Sequence, residues 1–541
     1  MAAAMAAALC CVAACALALY LYRVLWAAPE RARAALRGQG IGGPRPSFPY
    51  GNRDEMRRLM MMMKQQDGGG GGGGGGGIVH DYRPAVFPHY ERWRSQYGPV
   101  FTYSIGNMVF LHATHADVVR DITLCVSPLD LGKSAYMKVT HRPLFGDGIL
   151  KSSGDAWAHQ RRLIAPEFFP DKVRGMLGIM VASAAALVAS WEDRLMTTTR
   201  AAAAGDDEVE LTVDDDLRAY SADVISRTCF GGSYGKGKQI FAMIRDLQKA
   251  VSKPPDLLAE MTGLSYLPTR AGRAAWRLNG QVRDLILGVV RDGGGAGDDG
   301  GNLLSAMLRS AAAAAAGDAA AAEDFVVDNC KNIYFAGYET TAVTAAWCMM
   351  LLALHPDWQR QVSDEVRQAC GGDGAAPPDS ASLQKMKKLT MVIQETLRLY
   401  PAGSVVSRQA LRDVTLGGVR VPAGVNIYVP VSTLHLDPDL WGADAREFRP
   451  DRFARPLPPH AYLPFGAGAR TCLGQAFATA ELKVLLALVL SRFELRLSPS
   501  YRHSPTLRLI VEPEHGVRLL LKRRPRPPVV VGAAAPGPEP E

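Results

Sequence analysis

The most reactive feature of the sequence is a single cysteine in a glycine-rich loop. Phe465, Arg470, Cys472 and Gly474 are spaced as F-x-x-G-x-R-x-C-x-G, and the apolar residues that follow favour a helix. A thiol at the start of a helix, with a guanidinium nearby, tends toward the thiolate, which is a soft metal ligand. Zinc would need further cysteines or histidines at short spacing, and the preceding histidine is as far back as His460. A single thiolate is instead a ligand that haem iron accepts; the alternative is a structural cysteine, because most free cysteines are buried and inert.

An indole and a guanidinium form a second possible ligand site. Trp157 and Arg161 are four positions apart and therefore share one face of a predicted helix. One N–H donor and a planar fork of donors can together clamp a carboxylate. A plain cation–π pair at the surface is the alternative.

A long apolar stretch, residues 323–354, predicts a helix that runs through the core. In its centre, Gly337 is followed by Glu339 and Thr340. Glycine costs about 1 kcal/mol relative to alanine inside a helix, and an acid is costly to bury. These residues favour a groove beside a ligand, with a proton relay. The alternative is a close helix crossing in which the threonine bonds to its own helix.

Charged residues also recur after this helix. Glu395 and Arg398 share one face of a predicted amphipathic helix, residues 383–400, and would ordinarily make a solvated pair. Arg452 lies downstream in the segment F-R-P-D-R-F, and Arg408 lies between the helix and strand-like sequence. A second arginine near a helical Glu–Arg pair allows a charged triad.

These motifs occur in the order found in the cytochrome P450 monooxygenases, and the chain resembles that family over roughly residues 80–524. The W-x-x-x-R pair, the A-G-x-E-T-T helix motif, the E-x-x-R helix and the cysteine loop all match. The resemblance implies a mainly α fold with small β-sheets, in a single large catalytic domain behind an N-terminal membrane anchor. It also implies haem b as the cofactor and O₂ as a co-substrate.

The resemblance assigns a role to each of these residues. Cys472 would be the iron ligand, Thr340 would hydrogen-bond dioxygen, and Glu339 would relay protons. The residues expected to bind the cofactor, chiefly its propionates, are Trp157, Arg161, Arg408, Phe465, Arg470 and Gly474. The triad expected to brace the cysteine loop is Glu395, Arg398 and Arg452.

The expected activity is monooxygenation of a hydrophobic small molecule. No flavin or nicotinamide fingerprint is apparent in the sequence, so electrons are expected from NADPH-cytochrome P450 reductase, docked on the basic side near Cys472. Two alternatives belong to other classes. A haem-thiolate isomerase or dehydratase would lack the acid–threonine pair, and a haem sensor would need no proton relay. Consumption of NADPH that depends on the reductase would separate both from a monooxygenase.

The substrate is suggested by a closer resemblance. Residues 40–52, 80–88, 152–169 and 503–517 resemble a plant subgroup that oxidises gibberellins, and within it cereal enzymes that hydroxylate carbon 13 and lower hormone activity. Another plant hormone or terpenoid is the alternative. Residues 127–149 are expected to form a loop over the distal pocket, where Lys133, His141 or Arg142 either pairs with a substrate carboxylate or is solvated.

The composition indicates one large globular body. The chain has 541 residues, of which 48% are hydrophobic and 21% charged. Its net charge of +8 comes without a Lys/Arg block interleaved with aromatic residues, which argues against nucleic acid and favours a membrane surface or an acidic protein partner. The alternative is an arginine-rich composition without a target. Nine cysteines without framework spacing indicate a reducing compartment.

The N-terminal sequence predicts a membrane anchor. Residues 2–22 are uncharged, and Arg23, Arg31, Arg33 and Arg37 follow them, which favours a retained signal anchor over a cleaved signal peptide. We therefore expect a single-pass protein of the endoplasmic reticulum membrane with a cytosolic catalytic domain. The expected segments are an anchor (1–26), a basic and Pro-rich hinge with a Gly-rich linker (27–79), the monooxygenase domain (80–524) and a disordered tail (525–541).

Periodicity predicts the elements that hold these motifs. Residues 100–111 predict a hairpin across a Gly-Asn turn, and residues 172–195 and 214–229 predict helices. Glycine- and alanine-rich tracts are expected to be loop insertions, at residues 68–77, 201–207, 293–301 and 311–322.

Overall fold

Helices dominate the fold, as the helical spacing of apolar residues in the sequence predicts. The computed structural model describes residues 1–67, 78–201, 208–231, 234–252, 270–293, 303–314, 318–371 and 376–524. The helices of the N-terminal half are α1 (Ala2–Tyr22), α2 (Ala28–Arg37), α3 (Arg53–Asp67), α4 (Arg83–Val86), α5 (Pro88–Tyr97), α6 (Ala116–Leu124), α7 (Ala135–Thr140), α8 (Arg142–Phe145), α9 (Gly154–Ile164), α10 (Pro170–Ala201), α11 (Asp214–Phe230) and α12 (Tyr234–Val251). Those of the C-terminal half are α13 (Arg270–Gly293), α14 (Leu303–Ala314), α15 (Ala319–Leu354), α16 (Pro356–Ala369), α17 (Ser380–Lys385), α18 (Lys387–Leu399), α19 (Val431–His435), α20 (Pro438–Trp441) and α21 (Gln475–Arg492).

Small sheets lie at the margins of the helical body. The strands are β1 (Val100–Ile105), β2 (Met108–Ala113), β3 (Leu131–Gly132), β4 (Glu208–Thr212), β5 (Val405–Ala410), β6 (Val414–Leu416), β7 (Val419–Val421), β8 (Asn426–Pro430), β9 (Phe493–Leu497), β10 (Pro505–Arg508), β11 (Ile510–Pro513) and β12 (Arg518–Arg523). One sheet has the order β1-β2-β8-β5-β3 and another β4-β12-β9, while β6-β7 and β10-β11 are hairpins. The hairpin predicted at residues 100–111 is confirmed, because Ile105 pairs with Met108 across the Gly-Asn turn.

The core is built around α15. Along this helix Trp347 is wholly buried, as are Trp191 of α10 and Phe493 of β9. Helices α10, α11 and α21 contribute to the same apolar cluster. A second cluster fills the space beneath the five-stranded sheet, with Leu111 and Ile427 at its centre. The helices predicted at residues 172–195 and 214–229 are confirmed as α10 and α11.

The segment predicted as a hinge is partly packed structure. Leu36 of α2 is wholly buried in the cluster beneath the sheet. Arg33 donates to the Ser104 hydroxyl at 3.0 Å, and the Asn52 side chain accepts from the Ser104 N–H at 2.8 Å. The Pro-rich part of this segment follows an amphipathic helix, α2, whose buried face includes Arg33 and Leu36. Residues 28–53 therefore rest on β1 and β2.

Two further predictions need correction. The alanine tract 311–322 is not wholly an insertion, since its ends complete α14 and begin α15, as the high helix propensity of alanine favours. The predicted helix at residues 383–400 is broken at Met386, whose backbone leaves the helical region. The Gly-rich run 68–77 and the tail 525–541 lie outside the described residues, as do most of 201–207 and 293–301.

The N-terminal helix differs from the rest in exposing its apolar side chains. Within the part of the chain that the structure describes, two helical segments are long and apolar enough to cross a bilayer, Ala4–Arg37 and Pro170–Thr198. The most apolar window of the first is 0% buried, whereas part of the second packs inside the core. The first can therefore serve as an anchor.

Candidate active site

The cysteine loop is shaped by two glycines and closed by backbone hydrogen bonds. Gly466 and Gly468 both have a φ of +69°, which L side chains rarely adopt. A Cβ on Gly468 would also lie only 2.5 Å from the Thr123 carbonyl oxygen of α6. The Cys472 N–H donates to the Phe465 carbonyl at 2.8 Å, and α21 begins three residues after the cysteine. The loop is thereby held against α6 with its cysteine at the foot of α21.

Burial and nearby polar groups have opposite effects on the pKa of the Cys472 thiol. The side chain keeps an accessible surface and lines a cleft of about 560 Å³, yet protein atoms surround it closely. Burial raises the pKa of the Cys472 thiol, while the Gly474 N–H and the Arg161 guanidinium favour the thiolate. Arg161 is therefore the guanidinium that acts on this thiol, whereas the Arg470 guanidinium donates to the Ser152 carbonyl at 3.1 Å.

Positive side chains converge beside Trp157. The indole is buried, with the Arg470 guanidinium 4.2 Å and the Arg161 guanidinium 5.6 Å from its ring centroid. This is a buried cluster and not a surface cation–π pair. Burial, then Arg408 and Arg161, lower the pKa of Arg470 to about 9. Burial lowers the pKa of Arg408 to about 10, against a small opposing effect of Cys125.

This cluster fits the propionates of haem. Arg470 Nε is buried without a hydrogen-bond partner, and the described residues supply no ion pair to Arg161, Arg408 or Arg470. Unpaired charges that repel one another in a buried place are costly unless an anion joins them. A small cavity is lined by Trp157, Arg408 and Arg470. A carboxylate in this cavity would be close to all three side chains.

The middle of α15 carries the remaining predicted site residues. From residue 329 to 352 every side chain is buried except Ala336, Gly337 and Thr340. Ala336 and Thr340 are one turn apart on the same face, so this face borders an internal space. The Thr340 hydroxyl donates to the Ala336 carbonyl at 2.7 Å. Gly337 serves a helix crossing, because its Cβ would lie 2.7 Å from the Ile225 side chain of α11.

Glu339 points away from that face and into a buried ionic cluster. Its carboxylate accepts from Arg245 at 2.6 Å and from Arg218 at 3.3 Å. Glu512 of β11 shares Arg218, at 3.0 Å, and also accepts from Arg508, at 2.9 Å. Burial opposes the charge on Arg245, but Glu339 and Glu512 outweigh it and raise the pKa of Arg245. Nothing in the local sequence around Glu339 identifies these partners.

The predicted triad is assembled at the end of α18. Arg398 donates to both Glu395 oxygens, at 2.7 and 2.8 Å, and Arg452 donates to the same carboxylate at 3.0 Å. Arg398 also donates to the carbonyls of His435 and Ala445. Both members of the helical pair are wholly buried, so this is no solvated pair.

His435 connects the triad to the cysteine loop and was missed from the sequence. Its Nε2 accepts from the Leu463 N–H at 2.8 Å, and its Nδ1 lies 3.1 Å from the Arg398 carbonyl. The Leu463 carbonyl then accepts from Gly466 at 3.0 Å. The sequence signal that could have pointed to His435 is a histidine in an apolar segment just before an Asp-Pro turn.

The loop at residues 127–149 brings one of its three predicted cations to this site. Burial, then the charges of Arg408 and Arg470, lower the pKa of Lys133 to about 7. His141 is buried, hydrogen-bonded to Thr140 at 2.6 Å and stacked on Phe145. Burial lowers the pKa of His141 to about 4, so it is a neutral core residue.

These features together fit one cofactor. In the described part of the chain, no three His, Cys, Asp or Glu side chains form a group that could hold a metal ion. A single thiol with an accessible surface, a buried arginine cluster and an open face of α15 match a flat, anionic, iron-bearing ring. Haem b meets all three requirements.

Comparison with known proteins identifies the family. A family model described as Cytochrome P450 matches residues 77–521. The chain is 69% identical over 515 residues to Cytochrome P450 714B1 of Oryza sativa subsp. japonica, covering 94% of this chain and 95% of that protein. It is 61% identical to Cytochrome P450 714B3 of Zea mays and 60% identical to Cytochrome P450 714B2 of Oryza sativa subsp. japonica, with 95% of each chain covered.

The cysteine loop, the arginine cluster and the long central helix carry the residues that fit the haem of this family. Members of this family bind haem b, use O₂ as a co-substrate, oxidise small hydrophobic molecules and take electrons from a reductase. The chain belongs to the cytochrome P450 family and is a monooxygenase.

Proposed function

We propose that the protein oxidises a gibberellin, and that it hydroxylates this diterpenoid acid at carbon 13 and so lowers hormone activity. The observation that carries the proposal is the resemblance of residues 152–169 and 503–517 to the gibberellin-oxidising subgroup. Two of the resembling segments also meet, since His80 and His503 both lie within hydrogen-bonding distance of the Tyr400 hydroxyl, at 2.7 and 3.3 Å. Their proximity supports a shared local role for these segments.

Each site residue has a defined task in this proposal. Bound haem supplies the activation of O₂ and the transfer of one oxygen atom to the substrate. Cys472 holds the iron, and the arginine cluster holds the propionates. Thr340 has its hydroxyl on the open face of α15, where it can leave the Ala336 carbonyl and donate to dioxygen. The apolar side chains around it exclude water.

Glu339 is the proposed source of protons, and its surroundings determine the route by which protons reach it. The carboxylate is 0% exposed and held by two arginines, so it cannot exchange protons with solvent directly. Arg245 and Arg508 keep 23% and 36% of their side chains exposed. We expect water to reach the cluster on that side, and Glu339 to act when Arg245 moves.

Electrons are proposed to come from NADPH-cytochrome P450 reductase. The cleft beside Cys472 is lined by apolar side chains, including Phe169 and Leu473, and by Arg174 and Lys483. Phe169 is 56% exposed. An acidic partner that covers this cleft would come close to the sulfur, and opposite charges would speed its association at low salt. The exposed apolar helix α1 supports attachment to the endoplasmic reticulum membrane.

The test uses the full chain in microsomes with the plant reductase. We expect a gibberellin to gain one hydroxyl at carbon 13, only when NADPH is present. A gibberellin already hydroxylated at carbon 13 is the matched control and should not be converted. Thr340→Ala is expected to consume NADPH but to form less hydroxylated product per NADPH.

The outcomes separate the alternatives. Hydroxylation at another carbon would refute the regiochemistry and keep the substrate class. No oxidation of any gibberellin, with turnover of another terpenoid, would refute the substrate. Product formed without NADPH would indicate an isomerase or dehydratase.

A further inference from the structure

The site contains more positive charge than haem can neutralise. Lys133 follows β3, where Leu131 pairs with Ala410 and Gly132 with Gln409. Continuing this antiparallel register sets Lys133 opposite Arg408. The Lys133 N–H donates to the Ser153 hydroxyl at 3.0 Å. The preceding residue, Ser152, accepts a hydrogen bond from Arg470 through its carbonyl. Three cations from separate parts of the chain thus meet at one place.

Lys138 of α7 adds a fourth cation. Burial, then Arg470 and Lys151, lower its pKa. The helix that carries it is fixed, because the Asn426 side chain accepts from the Ser134 hydroxyl at 2.9 Å. Met137, its neighbour, lies 3.5 Å from the Ser407 hydroxyl of β5. Lys138 is therefore held beside the strand that bears Arg408.

A charge count shows the surplus. Among the described residues, no carboxylate forms an ion pair with Lys133, Lys138, Arg408 or Arg470. Lys151 nearby is different, because it pairs with an aspartate at 2.9 Å. Arg161 also lies beside Trp157 without an ion pair among the described residues, which makes five cations. Haem b brings two propionates, so three positive charges remain. The half-buried lysines are among these cations, and cations in such a place favour an anion.

We propose that Lys133 and Lys138 bind the carboxylate of an apolar carboxylic acid substrate and so select acids over their neutral analogues. The inference rests on the proposed function and sharpens it, because gibberellins are diterpenoid acids. Their carboxylate would lie against the lysines, and their hydrocarbon skeleton would extend toward the open face of α15. Neither lysine would take part in the oxidation, so both are specificity residues.

The test measures binding by the spin shift of the haem-loaded full chain in detergent. Each ligand is used as the free acid and as its methyl ester: a gibberellin pair, and dodecanoic acid with methyl dodecanoate as an unrelated pair. The variants are Lys133→Gln, Lys138→Gln and the double variant, with Lys138→Arg to keep the charge. Lys522→Gln, exposed on β12, is the control.

We expect the double variant to bind the acids about 10- to 100-fold more weakly, the loss expected for a charge-assisted hydrogen bond, with the esters unchanged. Lys138→Arg and Lys522→Gln should keep the preference for acids. The proposal is overturned if acids and esters weaken equally, or if neither changes. Faster loss of haem from the variants, with unchanged acid preference, would also overturn it, since the lysines would then serve only the propionates. If only the dodecanoic pair responds to the lysines, the inference stands and the gibberellin substrate is wrong.

Discussion

A buried acid in α21 allows a quantitative test of the packing behind the cysteine. Glu481 is wholly inaccessible, and neither carboxyl oxygen has a hydrogen-bond partner in the described residues. Burial raises the pKa of Glu481 from its ordinary 4.5 to about 8, against a smaller opposing effect of the Ser221 hydroxyl. The folded protein therefore holds this carboxyl in its neutral form.

The sign of the pH dependence follows from this shift. The folded state binds the proton more tightly than the unfolded state, so stability falls as the pH rises from about 4.5 toward about 8. Each pH unit in that window lowers the free energy of unfolding by up to about 1.4 kcal/mol. Raising the pH from about 5.5 to about 7 thus costs about 2 kcal/mol through Glu481. For a chain of this size that is a change of about 2 °C in melting temperature.

Glu481→Gln keeps the shape of the side chain and removes its titration. The melting temperatures of parent and variant, followed by haem absorbance at both pH values, should differ by about 2 °C more at the higher pH, in favour of the variant. Glu494→Gln, on the exposed face of β9, should have the same melting temperature as the parent at both pH values. A parent–variant difference that does not change with pH would refute the assignment of a neutral buried acid.

Three further changes test the supports of the site. Arg398→Leu leaves the Glu395 carboxylate buried without its bidentate partner and should cost about 3–5 kcal/mol, measured as the melting temperature and yield of haem-loaded protein. Gly337→Ala brings a methyl group within 2.7 Å of the Ile225 side chain; overpacking of about 1–3 kcal/mol should exceed the helix-propensity gain of about 1 kcal/mol. His435→Phe leaves the Leu463 N–H, just before the cysteine loop, without its partner. This should cost about 1–3 kcal/mol of stability and speed the transfer of haem to apomyoglobin.

Each of these has an internal control. Arg398→Lys keeps the charge but loses the planar fork, and is expected to be unstable as well; a stable holoprotein would contradict the triad's bracing role. Ile225→Ala makes room for the new methyl group, so the double variant with Gly337→Ala should be more stable than the sum of the two single effects. Simple additivity would contradict the contact. An unchanged haem transfer rate in His435→Phe would remove its link to the loop.

The sequence was sufficient wherever a role depends on local spacing. Cys472 and its glycines, the pair of Trp157 and Arg161, and the helical pair of Glu395 and Arg398 each lie within one turn or loop. Their geometry follows from the backbone that joins them. This is why the cysteine loop and the helices at residues 172–195 and 214–229 could be predicted from the sequence.

Contacts between distant segments could not be predicted in this way. Arg218 lies 121 positions from Glu339, and Glu512 lies 294 positions from Arg218. Lys133 and Arg408 are carried by neighbouring segments only because β3 and β5 pair. The interpretation of Gly337 as an opening beside a ligand failed for the same reason, since the side chain that fills the space belongs to α11.

The motif in α15 combines three tasks because neighbouring helical residues point in different directions. Successive residues differ by about 100° around a helix, so Gly337, Glu339 and Thr340 meet three different environments. Gly337 lets α11 approach, Glu339 enters the ionic cluster with α12 and β11, and Thr340 lies on the partly exposed face of the helix. Shifting the motif by one residue would place the acid at the cavity and the threonine at the crossing. The compact spacing is therefore set by helix geometry, and each residue can be tested separately.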